Sequence, residues 1–150
     1  EAETESESEI VKEREEALAR ELEAMRKKKQ KLVDPIQYAF SIAADDLADY
    51  EPTFTWEMAP ASDKQLEYLE KHGIYPESVT CAGMASLLIE KLKNRQIEGL
   101  ATPKQIRFLE RYGFLHVGLW TFEAASKMIT RISMNSWYLP RGIDPKSYQP

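Results

Sequence analysis

Two Lys-Gln pairs, Lys64-Gln65 and Lys104-Gln105, stand forty residues apart. Each falls in the first turn of an expected helix, just after a capping residue, Ser62 or Thr102. Helix N-termini present unpaired backbone N–H groups, and a lysine beside them can hold a phosphate. The competing reading is ordinary surface duty, since Lys and Gln are good helix formers. Lys71, Arg107, Arg111, Arg131 and Arg141 would extend a basic face, with Tyr112 or Trp137 as a stacking surface. Such charge is more often a solvated face, and aromatics more often core.

Catalytic and metal chemistry is not written in the chain. There is no Gly-x-x-x-x-Gly-Lys-Ser/Thr phosphate loop and no Asp-Glu-Ala-Asp box. One cysteine and two histidines, His72 and His116, make no zinc cage. His72 reads as a capping residue at a helix end. Cys81 reads as a small buried or capping residue. Asp45-Asp46 reads as a helix end or a solvated turn. No catalytic residue, metal site or cofactor is assigned, and the chain is expected not to be an enzyme.

The Lys-Gln pairs belong to a longer duplication. Ala61 to Leu92 aligns without a gap on Ala101 to Ile132, with Ala, Lys, Gln, Leu, Glu, Gly, Ala, Ser and Ile kept in place. Such a period implies one supersecondary unit used twice. Pro103 suits the first helical position. Gly73 and Gly113 read as left-handed stops, with Leu69–Ile74 and Leu109–Phe114 as the apolar contacts of Schellman motifs. A short extended link follows each stop. Thr80 or Cys81, and Thr121, then cap a second helix. Its apolar face is Ala85, Leu88, Ile89 and Leu92 in one copy, and Ala125, Met128, Ile129 and Ile132 in the other. Neither unit can bury much alone, so the copies should pack together.

The fold class expected is therefore all-α, with two tandem helix-extension-helix repeats packed together. A long charged helix and a short helix precede them. Residues 1–9 are acidic and expected to be disordered or frayed. A charged connector helix spans 10–33. It has a thin stripe at Val11, Leu18, Met25 and Leu32, and its charge runs from acidic to basic along the helix dipole. Residues 34–60 hold a short helix from Pro35 to about Ala44, capped by Asp34 and burying Ile36 and Phe40 with Ala43 or Leu47. The stretch Thr53 to Met58 should be extended, with at least two of Phe54, Trp56 and Met58 packed on the first repeat. Repeat 1 covers 61–100, repeat 2 covers 101–136, and 137–150 is an extended aromatic and proline-bearing strap.

Residues 1–60 carry eight Lys/Arg against sixteen Asp/Glu; the remaining ninety carry twelve against nine. The overall charge of −5 thus belongs to the N-terminal part, and the repeats are mildly basic. A single cysteine precludes an internal disulfide and fits a reducing, cytoplasmic compartment. No apolar run is long enough for a membrane span or signal peptide. A start on Glu rather than Met is expected of a piece of a longer protein.

The stretch ATPKQIRFLERYGF, followed by WTFEAASKMITRI and LPRGIDPKSYQP, resembles the C-terminal accessory region of DEAD/DEAH-box superfamily-two helicases of phages and mobile elements. The stretch DPIQYAFSIAADDLADYEPTFTWEMAPASDKQLEYLEKHGI is similar to the same region, so the resemblance spans residues 34–150. It implies a non-catalytic domain attached in cis to a helicase core, assisting nucleic-acid binding or positioning, with DNA ahead of RNA. It supplies no site residues, so the nine residues named above rest on their own chemistry. The alternative is a docking module that recruits a partner such as a replication or recombination protein, through a groove between the repeats or through the tail aromatics.

Overall fold

The computed structural model describes residues 2–150, apart from the side chains of residues 2–6 and of Lys29. It contains two compact units, 1–31 and 32–150. The first is one helix, α1 (Ala2–Lys31). It begins at Ala2, whereas the sequence led us to expect no helix before Ile10. Val11, Leu18, Leu22 and Met25 are exposed along it. Arg26 and Glu23 form an exposed ion pair at 2.9 Å.

The second unit is all-helical, and its strand-like pairing among the described residues is limited to isolated bridges. It starts with α2 (Pro35–Ser41), α3 (Asp45–Ala48) and α4 (Thr55–Met58). Asp34 caps α2 as expected, accepting from the Ile36 and Gln37 N–H groups, with Pro35 in the first turn. The buried face is different from the expected one. Pro35, Tyr38 and Ala39 are buried, whereas Ile36 is exposed and Phe40 is 71% exposed. The helix stops at Ser41, because Ala43 takes a left-handed conformation (φ 55°) and turns the chain into α3.

The segment Thr53 to Met58 also departs from expectation. It is helical from Thr55, and Phe54, Trp56 and Met58 are 63, 59 and 59% exposed instead of packed. The residue it buries is Glu57. Its carboxylate accepts from the Tyr50 hydroxyl in a short hydrogen bond, and from the Thr53 N–H at 3.4 Å. Shared with that carboxylate, the Tyr50 proton is held on until a pKa of about 12. Gly83 lies hard against this pair, and a Cβ there would overlap Tyr50 Oη. Burying a carboxylate demands such partners, which outweighs the three apolar side chains in orienting so short a helix.

Two helical pairs follow: α5 (Asp63–Lys71) on α6 (Ala82–Ile97), and α7 (Pro103–Arg111) on α8 (Phe122–Met134). Both leading helices start with a capping box. Ser62 and Thr102 accept from the Gln65 and Gln105 N–H groups, and the glutamine side chains accept back from the cap residues. Both stop on a Schellman motif. Ile74 N–H donates to Leu69 O at 2.9 Å and Phe114 N–H to Leu109 O at 3.2 Å, with φ of 90° at Gly73 and 94° at Gly113. The links expected to be extended each contain a 3₁₀ turn, Pro76–Ser78 and Val117–Leu119. Thr121 caps α8 through its side chain, accepting from the Ala124 N–H, whereas Cys81 begins α6 without such a bond.

The buried faces of α6 and α8 are Ala85, Leu88 and Leu92, and Ala125, Met128 and Ile132. They join one continuous core with Leu69, Ile74, Ile106, Leu109 and Phe114. Tyr38, Ala39 and Leu47 of the α2–α3 segment belong to the same core. This segment touches both pairs. Val33 exchanges hydrogen bonds with Gly73 and Tyr75, and Ser41 Oγ donates to Glu110 at 2.6 Å. Residues 135–150 form turns rather than helix, burying part of Leu139, Ile143 and Tyr148 and leaving Trp137 and Tyr138 exposed.

Candidate nucleic-acid interface

Where α5 ends and α7 begins, the chain leaves a cleft of about 460 Å³. Its walls come from both helical pairs. Lys71 and His72 end α5, Leu92, Arg95 and Gln96 come from α6, and residues 99–104 lead into α7. Tyr38 and Phe122 complete it. Lys71, Arg95 and Lys104 are cationic, and no Asp or Glu lines the cleft. Pro103 brings no N–H and the capping box takes that of Gln105, which leaves the Lys104 amide as the donor of the first turn of α7.

Arg95 is the residue that organises this joint. Leu88, Leu92 and Arg95 continue the buried stripe of α6 by steps of four and three. The guanidinium is therefore carried inward, where its Nη2 donates to Ala101 O at 3.2 Å and to Gly118 O at 2.9 Å. It thus braces the connection between the pairs and the link inside the second pair. Its Nε is buried without a partner. Tyr38 sits beside it, 1% exposed, its oxygen close enough to feel a hydrogen bond from Arg95 but its own proton without an acceptor. Burial raises the Tyr38 pKa, with the Arg95 charge pulling the other way.

His72 occupies the end of α5, as read from the sequence, with its ring 4.2 Å from that of Tyr68. Burial lowers its pKa, and the neighbouring Lys71 charge adds to the effect.

The nine residues singled out in the sequence separate clearly. Lys71 and Lys104 meet in the cleft, both exposed. Lys64 is exposed at the start of α5, but it does not line the cleft that its twin Lys104 lines. Gln65 and Gln105 are turned to internal duty. Beyond the capping boxes, their Nε2 atoms donate to Ser86 Oγ at 3.1 Å and to Ser126 Oγ at 2.9 Å, tying each leading helix to the one behind it. Arg107 is half-buried on α7, Arg111 lies in its last turn, Arg131 is exposed in the last turn of α8, and Arg141 is exposed in the tail. None of these four lines the cleft.

Sequence reasoning missed Arg95 and Tyr38. The signal for Arg95 was present: a cation standing on the apolar stripe of α6 rather than beside it. Tyr38 could be found only by placing the buried face of α2 correctly. No helix among the described residues is long and apolar enough to cross a membrane. The chain matches no protein-family model, no curated protein and no solved structure.

Proposed function

We propose that this chain is a non-catalytic accessory domain that helps a DEAD/DEAH-box-type helicase hold or position nucleic acid, DNA in the first instance. The observation that carries the reading is the cleft at the joint, where Lys71, Arg95 and Lys104 gather at the start of α7 without an opposing carboxylate. Three cations from three helices, one of them fixed by two carbonyls, suit a sugar–phosphate backbone more than a peptide or an apolar ligand. The link to a helicase rests on the sequence resemblance alone, and the fold by itself carries no function.

Contacts of this kind are read by salt. Binding of a fluorescent single- or double-stranded oligonucleotide to the 150-residue chain is expected to weaken steeply as salt rises. Lys71→Glu with Lys104→Glu should weaken it at least about tenfold at low salt and flatten the slope of log K against log salt by about two. Both side chains are exposed, so the fold should tolerate the change. Unchanged affinity in that variant would remove the cleft as the site. A docking role is favoured by one observation, the exposed group Phe54, Trp56 and Met58. It would show as partner binding indifferent to salt and lost in Trp56→Ala.

A further inference from the structure

We propose that the inner end of the cleft is a pocket for a terminal phosphate monoester, held by the Tyr38 hydroxyl and the Arg95 guanidinium, with Lys71 and Lys104 closing over it. The inference deepens the reading above, and it rests on that reading where the phosphate belongs to the end of a nucleic-acid strand.

Two buried polar atoms carry it. Buried donors in folded proteins almost always have an acceptor. Here Arg95 lies close enough to act on the Tyr38 oxygen through a hydrogen bond, but neither Arg95 Nε nor the Tyr38 hydroxyl has a well-formed partner, the Tyr38 proton is left without an acceptor, and both residues line the same cleft. They lie side by side, since the Arg95 charge acts on the Tyr38 hydroxyl. No Asp or Glu among the cleft residues is in place to serve them. The cleft is open to an acceptor for the Tyr38 proton, and the surrounding positive charge favours an anion there over a neutral group. The remaining donors fit the same group: the Lys104 amide at the start of the nine-residue α7, and the Lys71 and Lys104 ammonium groups.

Burial sorts the donors in depth and selects the kind of phosphate. Lys71 and Lys104 are exposed, Arg95 is half-buried and Tyr38 is buried. A phosphate inside a strand carries a sugar on each side and can run along the two lysines, but it cannot project inward. A terminal monoester projects, and it has three oxygens that are not esterified. Its charge of about −1.5 to −2 at neutral pH suits three cations better than the single charge of a diester. Free phosphate and the phosphorylated end of a strand share this chemistry.

The test uses the whole chain and one single-stranded oligonucleotide carrying a phosphate at its 5′ end, at its 3′ end, or at neither, followed by anisotropy. The wild type is expected to prefer a phosphorylated end by about tenfold, the scale of a charged hydrogen bond gained. Tyr38→Phe removes only the hydroxyl and keeps the ring in the core. It should erase the preference, read as the ratio of affinities for the phosphorylated and unphosphorylated strands within the variant, and inorganic phosphate should compete with the preferred strand only. Equal affinity for all three strands overturns the pocket while leaving nucleic-acid binding intact. So does a preference that survives in Tyr38→Phe, which would make the hydroxyl a mere remnant of packing. If no strand binds at low salt, but inorganic phosphate raises the melting temperature of the wild type and not of Tyr38→Phe, the pocket stands as a free-anion site and the nucleic-acid reading falls. If neither strands nor inorganic phosphate bind, both fall.

Discussion

The two helical pairs share their starts, stops and clamps, yet they are closed off differently. In the first pair, Val33 lies along the link and pairs with Gly73 and Tyr75. In the second, the tail takes that side. Pro145 lies against Gly113, and Tyr148 packs its ring on Phe114 and Trp120. The end of the second helix shows the same division. Arg95 of the first pair and Asn135 of the second are forty residues apart, and each donates to two carbonyls. Arg95 reaches forward to Ala101 and Gly118 in the next pair, whereas Asn135 holds Tyr138 and Leu139 of its own tail. Two helical pairs with matching sequence meet only once. The cleft lined by Lys71 and Lys104 is that meeting, and their twins Arg111 and Lys64 do not line it. Matched positions thus hold up the fold, and the candidate site lies where the match runs out.

The glycine stops probe this contrast most strongly. Both have φ near 90°, where an L side chain costs about 1–2 kcal/mol. Gly73→Ala and Gly113→Ala should each lose about that much stability in denaturant melts. A Cβ at Gly113 would meet Pro145 at an ordinary 3.5 Å, but one at Gly73 would come within 2.9 Å of Lys104 Cγ. Only Gly73→Ala should therefore also weaken DNA binding, by moving Lys104. Equal loss of binding in both variants would show that the placement of Lys104 is not what matters.

The glutamine pair gives the next effect. Gln65→Ala and Gln105→Ala each remove the half of a capping box in which the side chain accepts from the cap residue, and the clamp onto Ser86 or Ser126. Each should cost about 1 kcal/mol, the two agreeing within a few tenths. Neither should change the salt slope of DNA binding. A clear loss of affinity at an unchanged slope would mean that the neutral glutamine reaches a phosphate after all.

What was legible in the sequence follows the same boundary. Ser62, Thr102, Pro103, Gly73 and Gly113 act through local backbone geometry, so their types and spacing are enough to place caps and stops. The faces of α6 and α8 are long enough for periodicity to orient them. Four-to-seven-residue helices are not. Residues 35–41 offer apolar side chains on several sides, and only the core contacts of Tyr38 and Ala39 decide which side goes in. In residues 53–58 a carboxylate won over Phe54, Trp56 and Met58 because Tyr50, the Thr53 amide and the bare backbone at Gly83 converge on it. That convergence is tertiary and leaves no local trace. Lys71 and Lys104 were named from sequence, but that they share a cleft, and that Arg95 and Tyr38 underlie it, depends on how the pairs meet.

The smallest expected effect separates the ends of α5 and α7 by pH. His72 and Tyr112 are twins, each stacked near the aromatic ring four residues before it. His72 carries the imidazole of the two, and burial beside Lys71 holds its folded pKa below the ordinary value. As pH falls, the unfolded chain takes up this proton first. The stability His72 contributes is therefore complete above about pH 6.5 and declines below it. Between pH 8 and 5, the melting temperature of the wild type should fall slightly more than that of His72→Tyr, which copies the second pair. Parallel profiles would show that burial does not keep the ring neutral. An anion seated in the cleft would favour the charged ring instead. Inorganic phosphate should then raise the His72 pKa in an NMR titration, and Tyr38→Phe should blunt that rise if the anion sits at the inner donors.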